Sequence, residues 1–400
     1  MVRRRRNLIS EIKTDDGQRI HSRQEIKAYF SARFHQVFQS SHLQVPSHLE
    51  GLLSPCISEA RNNEISRIPD ATEIREVVWS MHPLKASGPD GLPGLFFKKY
   101  WPIVGDQMEV AIQSFFRDGW LLKNSNHTFI TLIPKRQAAC NFNHFRPISL
   151  CNFYYKIISK IIVNRMRPLL SKIIDLSQVA FVPNHWIAKN VFLAQEIVHS
   201  FKKSKRKKGS VGFKLDFHKA YDYLEWDFII KVLGALGFNQ NVSNLIFQCI
   251  SPVRFTLLLN GSKSTSFSPS RGIRQGDSLS PYLFILCSEV LARLIDREVG
   301  RGNISSVKVC PKAPTITKIF YADDVLLLCG AKISKVESLI GCIDKCCSWF
   351  GQSVNIEKSG IFVSNGVHNH FIRQVKAQWG FNQLAKDSKY LSLPLFLSSN

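Results

Sequence analysis

The chain has 400 residues, 44% of them hydrophobic and 21% charged. Those proportions exclude a mainly disordered protein and suit about two or three packed subdomains. Lys and Arg number 53 against 30 Asp and Glu, a formal net charge of +23, which points to a polyanionic partner, nucleic acid or an anionic surface. The acid-free runs Arg3–Arg6 and KKSKRKK (202–208) hold only ten of the positive charges, so the excess is diffuse rather than a tail. No stretch approaches the ~18 apolar residues of a membrane span. RRRR running into NLISEIKTDD lacks the apolar core of a secretory leader. The ten cysteines include no CxxC, and Cys342, Cys346 and Cys347 have no histidine behind them at zinc spacing. Free thiols in a reducing interior are expected, and the 202–208 run suits either a loop over nucleic acid or a nuclear address.

In chain order, residues 1–80 are polar, with Ile26, Tyr29, Phe30, Phe34 and Phe38 at helical spacing. HPLKASGPDGLPG (82–94) is a dense turn signal, followed by a helical aromatic stretch from Phe96 through Tyr100, Val104 and Met108 to Trp120. FITLIPK (129–135) and HFRPISL (144–150) predict short strands. YYKIISKIIVNRMRPLL (154–170) predicts a helix with a basic far side. VGFKLDF (211–217) alternates, with Val211, Phe213, Leu215 and Phe217 on one face and Gly212, Lys214 and Asp216 on the other. Residues 219–236 return to helical spacing, RFTLLLN (254–260) reads as a strand, and NGS (260–262) as a hairpin turn. Ser280 and Pro281 suit the start of a helix whose apolar face is Leu283, Leu286, Cys287, Val290, Leu291, Leu294 and Ile295, with a Glu289–Arg293 pair opposite. TITKIFYA (315–322) and VLLLCG (325–330) are strands meeting at Asp323 and Asp324.

The chemistry resides in these carboxylates. Adjacent acids repel, and apolar flanks raise the cost of ionising both. A divalent cation removes that cost, and three oxygen ligands from neighbouring strands suit Mg²⁺. Two such ions ~4 Å apart hold an in-line phosphoryl transfer. A solvated DD turn is the bland alternative; strongly apolar flanks and a basic chain weigh against it. GSKS at Gly261 lacks the earlier glycine of a phosphate-cradling loop, and there is no GxSxG, so ATPase and serine-hydrolase readings fail.

FYADDVLLLC (320–329) resembles the YxDD hairpin of reverse transcriptases. FKLDFHKAYDYLEW (213–226) and SRGIRQGDSLSPYLFILCSEVL (270–291) resemble the preceding aspartate motif and the next motif of the LINE-type (non-LTR) retrotransposon branch, particularly its plant form. TLIPK (131–135), HFRPISLCN (144–152), GPDGLPGLFFKKYW (88–101) and FVPNHWIAKN (181–190) are similar to its finger segments, and GQSVNIEKS (351–359) and KYLSLPLF (389–396) to segments after the hairpin. The resemblance covers roughly the whole chain. It implies an α+β right-hand polymerase fold: helical fingers, then a palm with a small antiparallel sheet backed by helices, and a thumb missing or incomplete. The implied layout is an extension over 1–80, fingers over 81–210, a palm over 211–365, and the palm end with the start of a thumb connection over 366–400. The implied activity is RNA-directed DNA polymerisation, with an RNA template, a DNA primer and deoxynucleoside triphosphates, two Mg²⁺ ions (or Mn²⁺) and no membrane. Asp216, Asp323 and Asp324 would be the catalytic, metal-binding carboxylates, Asp216 and Asp323 bridging the ions. Lys135 and Arg146 would contact the triphosphate. Phe217 would join the nucleotide site, and Tyr221 would crowd a ribose 2′-OH. Gln275 and Gly276 would approach the template–nucleotide pair, and Lys358 would donate a proton to the leaving group.

The sequence departs from the pattern at several places. Asn184-His185 stands for the common Gly-Arg, Ala188-Lys189 for Ser-Asp, and Ser278 for Pro; Phe350 and Ser392 replace Ser and Gly. None touches the aspartates. Family members carry an endonuclease upstream and further domains downstream, and the chain is expected to open in the linker and stop before a full thumb. Two rivals remain. One is a retrotransposon relic that only binds nucleic acid. The other is an RNA-dependent RNA polymerase, which is expected to have an acid where Tyr221 stands.

Overall fold

The computed structural model describes residues 8–41, 43, 45, 46, 49, 51–204, 209–310 and 312–396; the basic runs at Arg3–Arg6 and Lys205–Lys208 lie outside them. In chain order the elements are β1 (Ile12–Lys13), β2 (Arg19–Ile20), α1 (Arg23–Val37), α2 (Glu59–Ser66), α3 (Ala71–Ser80), α4 (Gly94–Lys99) and α5 (Trp101–Asp118). Next come β3 (His127–Pro134), β4 (Phe145–Cys151), α6 (Phe153–Met166), α7 (Leu170–Ile173), α8 (Ile187–Lys203), β5 (Ser210–Leu215), α9 (Trp226–Ala235) and α10 (Gln240–Ile250). The chain continues with β6 (Arg254–Leu259), β7 (Ser262–Phe267), α11 (Ser280–Gly300), β8 (Lys318–Tyr321), β9 (Asp324–Gly330), α12 (Ile333–Phe350), β10 (Gly360–Val363), α13 (Asn369–Trp379), β11 (Lys389–Tyr390) and β12 (Leu393–Pro394). They form two compact units, each discontinuous in sequence: residues 1–42, 57–166 and 221–280, and residues 43–56, 167–220 and 281–400.

The first unit is built on a four-stranded sheet of order β4-β3-β6-β7, in which only β3 and β6 run parallel. β4 alternates in burial: Phe145, Pro147, Ser149 and Cys151 are buried, and Arg146 is exposed. α1 presents Ile26, Phe30, Phe34 and Val37 on one stripe, and these pack with Phe142, Phe145, Ile130, Leu132, Phe255 and Leu257 in a single apolar cluster. The first helix is therefore core rather than a spacer. α6 departs from expectation. Its Lys156 is half-buried, and Arg165 is buried and bound to Glu73 by two hydrogen bonds of 2.8 and 2.7 Å and to the carbonyls of Ile65 and Arg67. A buried guanidinium is tolerable because its donors are matched.

The second unit holds a four-stranded antiparallel sheet of order β10-β5-β9-β8. Val325, Leu326, Leu327, Leu328 and Cys329 are all buried. The central strand is covered on both faces, so it reads as a continuous apolar run rather than an alternating one. On one face Leu326, Leu328 and Ile319 pack with Ala194, Ile197, Val198 and Phe201 of α8 and with Phe362. On the other, Phe320 and Val325 join Phe284 and Leu291 of α11 and Ile343, Cys346 and Phe350 of α12 around a small apolar cavity. The same double coverage explains Gly212: a Cβ there would meet the Phe362 ring at 2.3 Å. Helix α9 begins only at Trp226; residues 219–225, given helical spacing by the sequence, form turns instead. All ten cysteines are free, and among the described residues no helix is long and apolar enough to cross a membrane.

Candidate active site

The acidic site forms at one end of the second unit's sheet. Lys214 pairs with Leu326, and Leu215 with Val325. The next position on the β5 side is Asp216, which the antiparallel register carries opposite Asp324, the first residue of β9. Tyr321 pairs with Asp324, leaving Ala322 and Asp323 as a two-residue turn. Side chains on paired positions share a face. Asp216, Asp324 and Lys214 therefore stand on one side of the sheet, while Asp323 sits at the exposed tip. Pairing of β5 with β9 brings three carboxyl groups to one sheet end across more than a hundred residues.

Both strands are anchored at this end. The Asp216 N–H donates to Ser359 Oγ at 3.0 Å, and the Asp216 carbonyl accepts from the Asn355 N–H at 2.8 Å. Phe217 bridges to Val354, and the His218 N–H donates to the Ser353 carbonyl at 2.9 Å. On the hairpin side, the Phe320 carbonyl accepts from Asn190 Nδ2 at 2.9 Å. Asn355, Ser359 and Asn190 are site-forming residues that residue-by-residue reading missed. The signal was present in GQSVNIEKS and FVPNHWIAKN, but polar side chains that bind backbone are invisible until the chain closes on itself.

The electrostatics are those of an under-compensated acidic cluster. Burial raises the Asp324 carboxyl above its ordinary range; the negative charge of Asp323 adds to this, Lys214 opposes it, and Asp216 raises it further. An oxygen-only donor set of this kind suits a hard divalent cation. Among the described residues, though, no three His, Cys, Asp or Glu side chains gather into a metal-holding group. The donor chemistry fits while the side-chain arrangement is open.

The remaining sequence-predicted residues fall in both units. Phe217 is half-buried beside Asp216 and lines the apolar cavity, and Lys358 is exposed on the loop whose backbone holds Asp216. The other five belong to the first unit. Lys135 is exposed, with Nζ donating to the Asn143 carbonyl at 3.0 Å, and Arg146 projects from β4. The Tyr221 carbonyl accepts from the Ile273 N–H at 2.9 Å. Gln275 is fixed twice: its side-chain amide donates to Asp222 at 3.0 Å, and its carbonyl accepts from the Ser149 N–H at 2.8 Å. Gly276 takes φ +107, a conformation open to glycine and costly for other residues.

The model of the reverse transcriptase (RNA-dependent DNA polymerase) family matches residues 133–394. The chain belongs to that family. Its mixed helices and small sheets are consistent with a polymerase fold, and such enzymes generally use divalent metal ions and work on a nucleic-acid template and primer. Among curated proteins, it is 27% identical over 275 residues to the transposon TX1 uncharacterized 149 kDa protein of Xenopus laevis, covering 68% of this chain and 20% of that protein. It is 46% identical over 67 residues to an uncharacterized mitochondrial protein of Arabidopsis thaliana, covering 17% of this chain and 55% of that protein. A retrovirus-related Pol polyprotein from the type-1 retrotransposable element R2 of Nasonia vitripennis is 25% identical over 273 residues, covering 66% of this chain and 25% of that protein. The chain thus spans well under two thirds of the length of these relatives.

Proposed function

We propose that the chain is the polymerase core of a LINE-type, non-LTR retrotransposon of plant type. It adds deoxynucleotides to a DNA primer 3′-OH on an RNA template. The observation that carries this reading is the β5–β9 register, which sets Asp216 opposite Asp324 beside the Asp323 turn in a chain of the right family. Residues 81–210 are assigned to fingers, 211–365 to the palm, with 1–80 as an extension and 366–400 as the palm's end.

Asp216, Asp323 and Asp324 would hold the divalent ions, Mg²⁺ or Mn²⁺, whose chemistry when bound is to lower the pKa of the attacking hydroxyl and offset charge on the phosphates. The chain's own residues orient. Ser359 and Asn355 fix the backbone of Asp216, and the turn presents Asp323. Lys135 and Arg146 are assigned to the triphosphate, Phe217 to the nucleotide site, Tyr221 to the nucleotide's sugar, Gln275 and Gly276 to the template–nucleotide pair, and Lys358 to the leaving group. A ring at Tyr221 favours deoxyribose, which argues against an RNA-dependent RNA polymerase.

The departures from the family pattern at Asn184-His185, Ala188-Lys189 and Ser278 favour one second reading: a relic that binds nucleic acid without extending it. Primer extension on poly(rA)/oligo(dT) with Mg²⁺ separates the two. Wild type is expected to incorporate dTTP, and Asp323→Asn to lose about 100- to 1000-fold in kcat. Equal incorporation by both proteins ends the assignment, and binding without any extension by wild type selects the relic.

A further inference from the structure

The turn that carries Asp323 is held by a side chain from outside the sheet. Gln178 lies in the segment just before α8 and is only 3% exposed. Its amide oxygen accepts from the Ala322 N–H at 3.1 Å and from the Ala180 N–H at 3.0 Å. Two backbone donors aimed at one atom require that atom to be the oxygen, so the amide orientation is fixed. The amide nitrogen, also buried, meets no acceptor. The side chain therefore acts here through its oxygen alone. Its backbone is committed as well. Residues 177–179 run parallel beside β8, the Phe320 N–H donating to the Ser177 carbonyl at 2.9 Å and the Val179 N–H to the Phe320 carbonyl at 3.2 Å.

Ala322 needs such a hold. It takes φ +52, where a Cβ crowds the following carbonyl and which glycine enters without penalty. It is also buried, so its N–H cannot turn to water and must find a partner. A strained alanine with a captured amide immediately before Asp323 fixes the direction in which Asp323 and Asp324 leave the turn. Strain of this kind persists only where the surroundings over-determine it.

We propose that Gln178 is a positioning residue for the catalytic hairpin: by capturing the Ala322 amide it keeps the turn in its left-handed form and holds Asp323 and Asp324 in register with Asp216. The proposal rests on reading these aspartates as catalytic, and its test separates the two claims.

The variants are Gln178→Met, which keeps the size and loses the acceptor, and Gln178→Glu, which keeps the acceptor. Amide exchange at Ala322 is read beside steady-state primer extension. Gln178→Met is expected to speed Ala322 exchange about tenfold, leave Leu326–Leu328 protected, and lower kcat about tenfold with the dNTP KM within about twofold. Gln178→Glu is expected to keep both readouts within about threefold of wild type. Adding Ala322→Gly to Gln178→Met is expected to recover extension, because glycine adopts the turn unaided. Unchanged Ala322 exchange in Gln178→Met, or a loss in Gln178→Glu equal to that in Gln178→Met, overturns the proposal. Should Gln178→Met fail to fold, the Ala322→Gly double variant is read in its place: recovered extension supports the clamp, and absent extension overturns it. Wild-type extension by Asp323→Asn would remove the catalytic reading alone, since Ala322 exchange judges Gln178 independently of activity.

Discussion

Glu289 and Arg293 stand one helical turn apart on α11, a spacing that predicts an exposed ion pair. The pair forms at 2.7 Å, but Glu289 is only 2% exposed. Burial pushes its carboxyl up to about 7, against the pull of the Asp175 N–H, which donates to it at 3.0 Å, and of Arg293. Between the ordinary 4.5 and about 7 the folded chain keeps a proton that the unfolded chain releases. Stability from this group is therefore present at low pH and is lost as pH rises through about 7. Thermal midpoints are expected to fall as pH rises from about 5 to about 7, and Glu289→Gln to flatten that slope; a wild-type midpoint that does not fall over this interval contradicts the account. Tyr221 offers a second check. Tyr221→Ala is expected to raise ribonucleotide use relative to deoxynucleotide by about tenfold or more, read from competing UTP and dTTP on poly(rA), and an unchanged ratio removes the gate role.

The strands were legible because their periods are clean. FITLIPK, HFRPISL, VGFKLDF and VLLLCG each fall on β3, β4, β5 and β9 within a residue or two. The turn over 219–225 was not. Its apolar spacing mimics a helix, but the segment is held by residues distant in the chain: Gln352 Nε2 donates to the Ala220 carbonyl at 2.6 Å, and the Ile273 N–H to the Tyr221 carbonyl at 2.9 Å. Arg165 was hidden for a related reason, since no local pattern announces the partner Glu73, ninety-two positions away. At this scale α1 is the sharpest test. Phe30 is fully buried and stacks on Phe34, with ring centroids 6.3 Å apart. Phe30→Ala is expected to destabilise the first unit by about 3–5 kcal/mol, seen as a lower urea midpoint. A shift of under about 1 kcal/mol, the range of surface positions, would return α1 to the status of a linker.

Across the whole molecule, the charge of +23 is spread over both units rather than gathered in one tail. Each phosphate neutralised on a duplex releases counterions, so binding should weaken steeply with salt. Affinity for an RNA–DNA duplex is expected to fall about 1000-fold or more between 50 and 200 mM salt, with Asp216→Asn following the same line. A flat salt profile measured by fluorescence anisotropy would remove nucleic acid as the polyanion. Sequence alone determined the family and the order of the motifs and singled out the three aspartates as candidates, because motif spacing and strand periodicity are local properties that survive in one dimension. Only the tertiary structure decided that Asp324 faces Asp216 while Asp323 caps the turn, that Glu289 and Arg165 are buried, and that Gln178 grips Ala322. Register, burial and side-chain-to-backbone hydrogen bonds join residues remote in the chain, and they exist only once the sheets have closed.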